Sequence, residues 1–174
     1  MKKFELTSET KIDIFGKKLF RIKALISFGS VKAGETGGWV EKEGNVNQSG
    51  DAWVFGDARV FGDAKVFGDA KVFGNAMVSG DAMVSGDAKV FGDARVFGDA
   101  EVSGDADYTT IHGFGTQFRT TTFFRCKDKK VRVACGCFFG TIPEFRKQVK
   151  NTRKGRIAEE YLMIADLMEK HFEK

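Results

Sequence analysis

No run of apolar residues in this chain approaches the roughly 18 needed to cross a bilayer, so no membrane span is expected. The first residues, MKKFELTSET, are basic, but no apolar stretch follows, which excludes an ordinary secretory signal. Cysteine is scarce and odd in number: Cys126, Cys135 and Cys137 lie together near the C-terminal end. Reduced thiols in a cytoplasmic protein are the simplest reading of that pattern. Histidine occurs only as His112 and His171. A single proline stands against 21 glycines, and a lone glycine that keeps recurring signals a repeated tight corner. With 42% hydrophobic and 30% charged residues in 174, the chain is globular. Its length suits one ordinary core or one repeat body with small caps.

Charge is spread unevenly. Residues 1–49 carry nine Lys/Arg against six Asp/Glu, residues 50–107 five against eleven, and residues 108–174 fourteen against seven. An acidic middle and a basic tail imply different partners for each part.

The middle is a repeat. Gly recurs at every sixth residue from Gly38 to Gly104, and from Gly50 onward Asp or Asn follows it, then Ala, a variable residue, Val, and Phe or Ser. Nine such units run from Val54 to Ala106, and the units from Gly38 and Gly44 are degenerate, with Val40 and Val46 where later units have Ala. In each unit Ala-x-Val-Phe is a short strand, with Ala and Val on one face and the variable residue and Phe or Ser on the other. Gly-Asp is the corner, where the Asp side chain can accept from backbone N–H groups. So short a unit cannot bury its apolar face alone, but stacked coils can.

Val-x-Gly-Asp-Ala-x over residues 38–107 resembles the hexapeptide repeat of left-handed parallel β-helix proteins. The resemblance implies a triangular prism with eighteen residues per coil and about 3–4 coils. Residues eighteen apart then stack. Phe55, Phe73 and Phe91 form an outward ladder; Phe61, Ser79 and Phe97 line a second face, and Phe67, Ser85 and Ser103 a third. Each outward Phe leaves about 2 kcal/mol of burial unused, so the Phe55 face is expected to be covered by a second subunit or by the C-terminal segment. Phe61 and Phe97 are further packing candidates. A homo-oligomer follows, with a trimer the first expectation because the family commonly forms trimers.

Many proteins of this fold are acyltransferases with a His base, and the carbonic anhydrases among them need three His ligands. The repeat holds no His, and two in the whole chain are too few for that zinc centre. Ice-binding members use Thr arrays, and the repeat contains no Thr. One Asp per corner offers too few oxygens for a dedicated calcium site. Neither metal nor cofactor is expected.

Residues 1–37 read as an N-terminal β cap. Strands over 11–15 and 19–28 flank a Gly16-Lys17-Lys18 turn, and Phe20, Ile22, Ala24 and Ile26 alternate with polar or exposed positions. Residues 108–174 read as a small α+β segment ending in two helices. Strands are expected over 108–112, 117–126 and 131–137. With a turn centred on Asp128-Lys129, Cys126 pairs with Val131 and Phe124 with Val133, which puts Arg119, Arg125 and Arg132 on one face. Cys126 then lies roughly 13 Å from Cys135 and Cys137 at strand rise, so the thiols read as small buried hydrophobes rather than a zinc site. Thr141 and Glu144 form a capping box for a helix to about Lys150. A second helix over 156–172 presents Ile157, Tyr161, Ile164, Leu167, Met168 and Phe172.

The stretch from Val31 to Asn45 and the ending Gly136-Cys137-Phe138-Phe139-Gly140-Thr141 resemble uncharacterised hexapeptide-repeat proteins of bacteriophages and Gram-positive bacteria. That resemblance implies architecture and origin rather than chemistry. The leading expectation is a non-enzymatic oligomeric binding or scaffold protein in the cytoplasm of a bacterial host. It would counter host defence by binding a host protein or sequestering an anionic nucleotide signal. His112, Arg119, Arg125 and Arg132 are the ligand-binding candidates. An acyltransferase using His112, or a structural protein of a virion or cell surface, are the alternatives. No nucleic-acid motif is present, so nucleic acid is not an expected partner.

Overall fold

The computed structural model describes residues 1–173. It divides into two units, residues 1–105 and 106–174.

The first unit is a parallel β-solenoid preceded by an antiparallel hairpin. The hairpin strands are β1 (Phe4–Ile12) and β2 (Lys18–Ala24), and β3 (Thr36–Val40) follows. The coils supply β4 (Trp53–Val54), β5 (Arg59–Val60), β6 (Lys65–Val66), β7 (Lys71–Val72), β8 (Met77–Val78), β9 (Met83–Val84), β10 (Lys89–Val90), β11 (Arg95–Val96) and β12 (Glu101–Val102). Three sheets result, with orders β1-β2-β3-β5-β8-β11, β4-β7-β10 and β6-β9-β12. Val54 pairs with Val72 and Val72 with Val90, so the coil is eighteen residues long. Every Ala from Ala52 to Ala100 and every Val from Val54 to Val102 is fully buried, which is the apolar face the repeat predicts, and only Ala106, where the array ends, is exposed.

The start of the array departs from that register. Val40 pairs with Val60 and Val46 with Val66, a spacing of twenty. The two extra residues lie between Val46 and Val54. Val40 and Val46 are therefore true core valines and do not stand in for Ala. Gly38 takes the Ala position instead, its backbone packed against the Ala58 carbonyl and the Val54 side chain. The unbroken six-residue glycine spacing hides this phase shift.

Side chains close the first coil. In later coils the corner carbonyls accept from the coil before: Gly86 O from Asp69 N and Ala88 O from Lys71 N, both at 2.9 Å. In the first coil Lys3 Nζ donates to Gly50 O at 3.2 Å and Ala52 O at 2.9 Å. Asn45 Nδ2 serves Gly62 O and Ala64 O at 3.1 and 2.9 Å, and Arg21 serves Gly56 O at 3.2 Å. The hairpin also covers apolar surface. Trp53, expected to face outward as a variable residue, is fully buried with Phe4 and Phe28 edge-on at 5.8 and 5.3 Å. Leu19, Trp39 and Phe61 cluster together. In β2 Leu19 is buried and Phe20 only half-buried, because bulges in β1 and β3 shift the expected alternation.

The second unit is a four-stranded antiparallel sheet packed on two helices. Its elements are β13 (Tyr108–Phe114), β14 (Arg119–Arg125), β15 (Val131–Cys135), β16 (Phe138–Thr141), α1 (Ile142–Thr152) and α2 (Gly155–Phe172). β16 is a strand the sequence pattern did not reveal; a two-residue loop, Gly136-Cys137, joins it to β15. The capping box forms as expected, with Thr141 accepting from Glu144 N and Glu144 accepting from Thr141 N. The helix-facing core is Phe123, Val133, Ile142, Phe145, Val149, Tyr161, Ile164, Ala165, Met168 and Phe172. Leu167, expected in it, is exposed, and Ala165 takes its place.

The β14–β15 register corrects the expected one. Arg125 pairs with Val131, Phe123 with Val133 and Thr121 with Cys135. The loop holds three residues, Lys127 to Lys129. Cys126 N donates to Lys130 O, and Lys129 sits at φ 64°. A three-residue hairpin with a left-handed third position shifts the pairing by one residue, and a one-residue shift swaps faces. Arg119 and Arg125 therefore share the helix-facing side with Phe123, and Arg132 lies on the other with Phe124.

Candidate functional site

A cleft of about 210 Å³ opens in the second unit, between the ends of the sheet and the α1–α2 junction. The β13–β14 loop supplies Phe114, Thr116, Gln117 and Arg119; the β15–β16 loop supplies Cys135, Gly136 and Cys137; the helices supply Gln148, Thr152, Arg153 and Tyr161. No Asp or Glu is among its lining residues.

Two glycines make the close approaches that shape it. A Cβ at Gly136 would collide with the Arg119 guanidinium, and one at Gly115 would collide with the Tyr161 hydroxyl. Both glycines also hold positive φ, 58° and 75°. Burial pushes the Tyr161 phenol above its usual range; the Cys135 thiol acts in the same direction, while Arg153 and Arg119 oppose it. The phenol is thus a neutral donor at pH 7, and it donates to the Phe114 carbonyl at 3.3 Å. Cys135 Sγ accepts from Thr121 Oγ1 at 3.1 Å.

The arginines of this unit divide into two groups. Arg125 pairs with Asp107 at 3.4 Å, Arg132 with Asp128 at 2.6 Å, and Arg156 with Glu160 at 3.1 Å. Arg146 bridges Asp166 and Glu169 at 2.7 and 2.6 Å. Among the described residues Arg119 and Arg153 have no carboxylate partner, and both line the cleft. The Arg153 backbone N–H closes α1 on the Val149 carbonyl at 2.8 Å, and its guanidinium donates to the neighbouring Thr152 carbonyl at 3.2 Å.

Of the expected ligand residues, only Arg119 is in the cleft. Arg125 donates to the Phe172 carbonyl at 2.7 Å and lies over the Phe172 ring; it closes the end of α2. Arg132 is tied to its own hairpin loop through Asp128. His112 sits exposed at a bulge in β13, its Nδ1 3.0 Å from Thr120 Oγ1, and does not line the cleft. Sequence reasoning missed Arg153 and Tyr161. In the sequence Arg153 is one of four basic residues, with Lys150, Lys154 and Arg156, around the break between the helices, and nothing singles it out; Tyr161 reads only as part of the apolar face of α2. A second hollow, about 410 Å³, includes Arg125, Lys129 and Lys130 but also Glu169 and Glu173.

The thiols do not behave as one class. Cys126 is buried, Cys135 half-buried, and Cys137 exposed at the cleft, so Cys137 is not a buried hydrophobe. Among the described residues no three His, Cys, Asp or Glu side chains lie together as metal ligands.

On the coils the outward ladder forms. Phe73 and Phe91 stack at 5.3 Å with 12° between their rings, Phe55 and Phe73 are half-buried, and Phe91 is 50% exposed. Phe61 is covered within its own chain, near Leu19, Trp39 and Phe15, so it is a core residue rather than an interface residue. Phe97 is half-buried. Most corner Asp side chains are exposed; at Asp69, Asn75 and Asp81 it is the backbone N–H that binds the next coil's Gly carbonyl, each at 2.9 Å.

A family model of the YdcK beta-solenoid repeat matches residues 70–86. The chain is a β-helix repeat protein. The match lies wholly within the coils and includes neither the hairpin nor the sheet-and-helix unit. No curated protein matches the chain. Among the described residues no helix is long and apolar enough to cross a membrane.

Proposed function

We propose that this is a non-enzymatic binding protein, in which the β-solenoid serves as a rigid scaffold and the cleft of the second unit holds a small anionic ligand. The observation that carries this is the pair Arg119 and Arg153. Among the described residues they are the two arginines of their unit without a carboxylate partner, and both line a cleft whose lining includes no Asp or Glu. Two guanidinium groups left without counter-charge in a partly enclosed site favour an anion.

Under this reading the chain works in the cytoplasm of a bacterial host and sequesters an anionic signal used in defence, in line with the phage-type resemblance of the stretch from Val31 to Asn45 and of the ending from Gly136 to Thr141. Its copies associate through the Phe55, Phe73 and Phe91 ladder, with a trimer the first expectation. A second copy suits that face because its own ladder has the same strand-spaced period, about 4.8 Å.

Calorimetric titration with small phosphorylated and carboxylated anions tests the reading, followed by mass analysis of the recovered ligand. Saturable binding with the ligand recovered unchanged is expected. Turnover of the ligand, or no binding by any anion, would overturn it.

A further inference from the structure

We infer that the cleft takes the terminal phosphate of a small phosphomonoester end-on, between Arg119 and Arg153, with a planar ring of the ligand lying outside against Phe118. This rests on the anion-binding reading above and adds the ligand's charge, size and shape.

Charge selects the head group. Two guanidinium groups carry two positive charges, and a phosphomonoester near neutral pH carries about −1.5 to −2. A monocarboxylate would leave one guanidinium uncompensated. The last turn of α1 also faces the cleft through Gln148, Val149 and Thr152. Its carbonyl end opposes an anion with only about half a unit of charge, so the two full charges prevail. The planar donor forks of arginine suit phosphate oxygens, and the Thr116 hydroxyl and Gln117 amide line the same space.

Size selects end-on binding. About 210 Å³ corresponds to about seven waters at roughly 30 Å³ each. That space holds a phosphate and a few carbons, and the remainder of the ligand must project outward.

Phe118 selects what projects. It lies between Gln117 and Arg119, is 63% exposed, and is held at φ 49°. The left-handed region costs a bulky residue about 1–2 kcal/mol. Phe118 is not itself part of the lining, but its chain neighbours Gln117 and Arg119 are, so a strained, exposed aromatic next to them in the chain offers a stacking surface outside the cleft.

The test is calorimetric titration of the full chain with adenosine 5′-monophosphate, ribose 5-phosphate, adenosine and succinate, at about pH 7.5, where the phosphates are doubly charged. The monophosphate is expected to bind at least about 10-fold tighter than adenosine. Arg119→Gln and Arg153→Gln should each weaken it by about 10-fold or more. Phe118→Ala should weaken the monophosphate about 5-fold or more and leave ribose 5-phosphate unchanged. Unfolding curves matching the wild type would establish that the variants are folded. Adenosine binding as tightly as its monophosphate would overturn the inference, as would a Phe118→Ala variant that binds the monophosphate normally. Succinate binding through Arg119 while the phosphates fail would remove this inference and leave the anion-binding reading standing. Failure of every anion would remove both.

Discussion

Lys3 is only 2% exposed and, among the described residues, makes no ion pair; its ammonium donates to two backbone carbonyls and also lies 4.6 Å from the Phe28 ring centroid. Burial pulls its pKa from the usual 10.5 down to about 8, with Asp51 pulling the other way. The folded chain therefore releases this proton near pH 8, whereas the unfolded chain keeps it to about 10.5. Between those values the unfolded state binds more protons, so stability rises with pH. Relative to Lys3→Met, the wild type should gain of order 1–3 kcal/mol across that window, measured by urea unfolding at several pH values. Parallel curves for the two proteins would contradict the assignment. Lys3, Arg21 and Asn45 perform one task, supplying donors that no earlier coil provides. None of the three was legible beforehand, because the repeat pattern identifies what each coil contains and carries no sign of which distant side chains close its first edge.

At the level of elements, the coil is a corner problem repeated. Gly80 and Gly56 share a left-handed φ, 67° and 57°, but differ in surroundings. A Cβ on Gly80 would sit 2.9 Å from Gly98 N, while one on Gly56 meets open space. Both Gly→Ala substitutions incur the left-handed penalty of about 1–2 kcal/mol. Gly80→Ala should cost at least about 1 kcal/mol more, read as a lower urea midpoint at unchanged slope. Equal losses would mean that the coils can spread locally to admit the methyl. Alternation and period made the coils legible, and Thr141 with Glu144 made the start of α1 legible. The β14–β15 pairing was not, because it turns on one backbone angle at Lys129, a residue that rarely adopts φ above zero. That slip moved Arg132 away from the face that Arg119 and Arg125 share, and nothing in the sequence signals that Arg119 lines a cleft with Arg153. The latter comes from a different element, 34 positions along the chain.

On the scale of the whole molecule, the two units carry opposite kinds of information. The coils repeat a structural solution and display a phenylalanine ladder; the sheet-and-helix unit concentrates the basic residues and the cleft. If copies associate through the ladder, a chain carrying Phe55→Ser, Phe73→Ser and Phe91→Ser should run as a monomer by native mass measurement, and an assembly unchanged from the wild type would exclude that interface. Anion binding by the second unit is independent of this. Thermal unfolding with and without adenosine 5′-monophosphate tests it most directly, in the wild type and in the Arg119→Gln, Arg153→Gln double variant. A ligand present at about 100 times its dissociation constant stabilises the folded state by about 2.7 kcal/mol. The account predicts a clear rise in midpoint for the wild type and none for the double variant; equal shifts in both, or none in either, would contradict it.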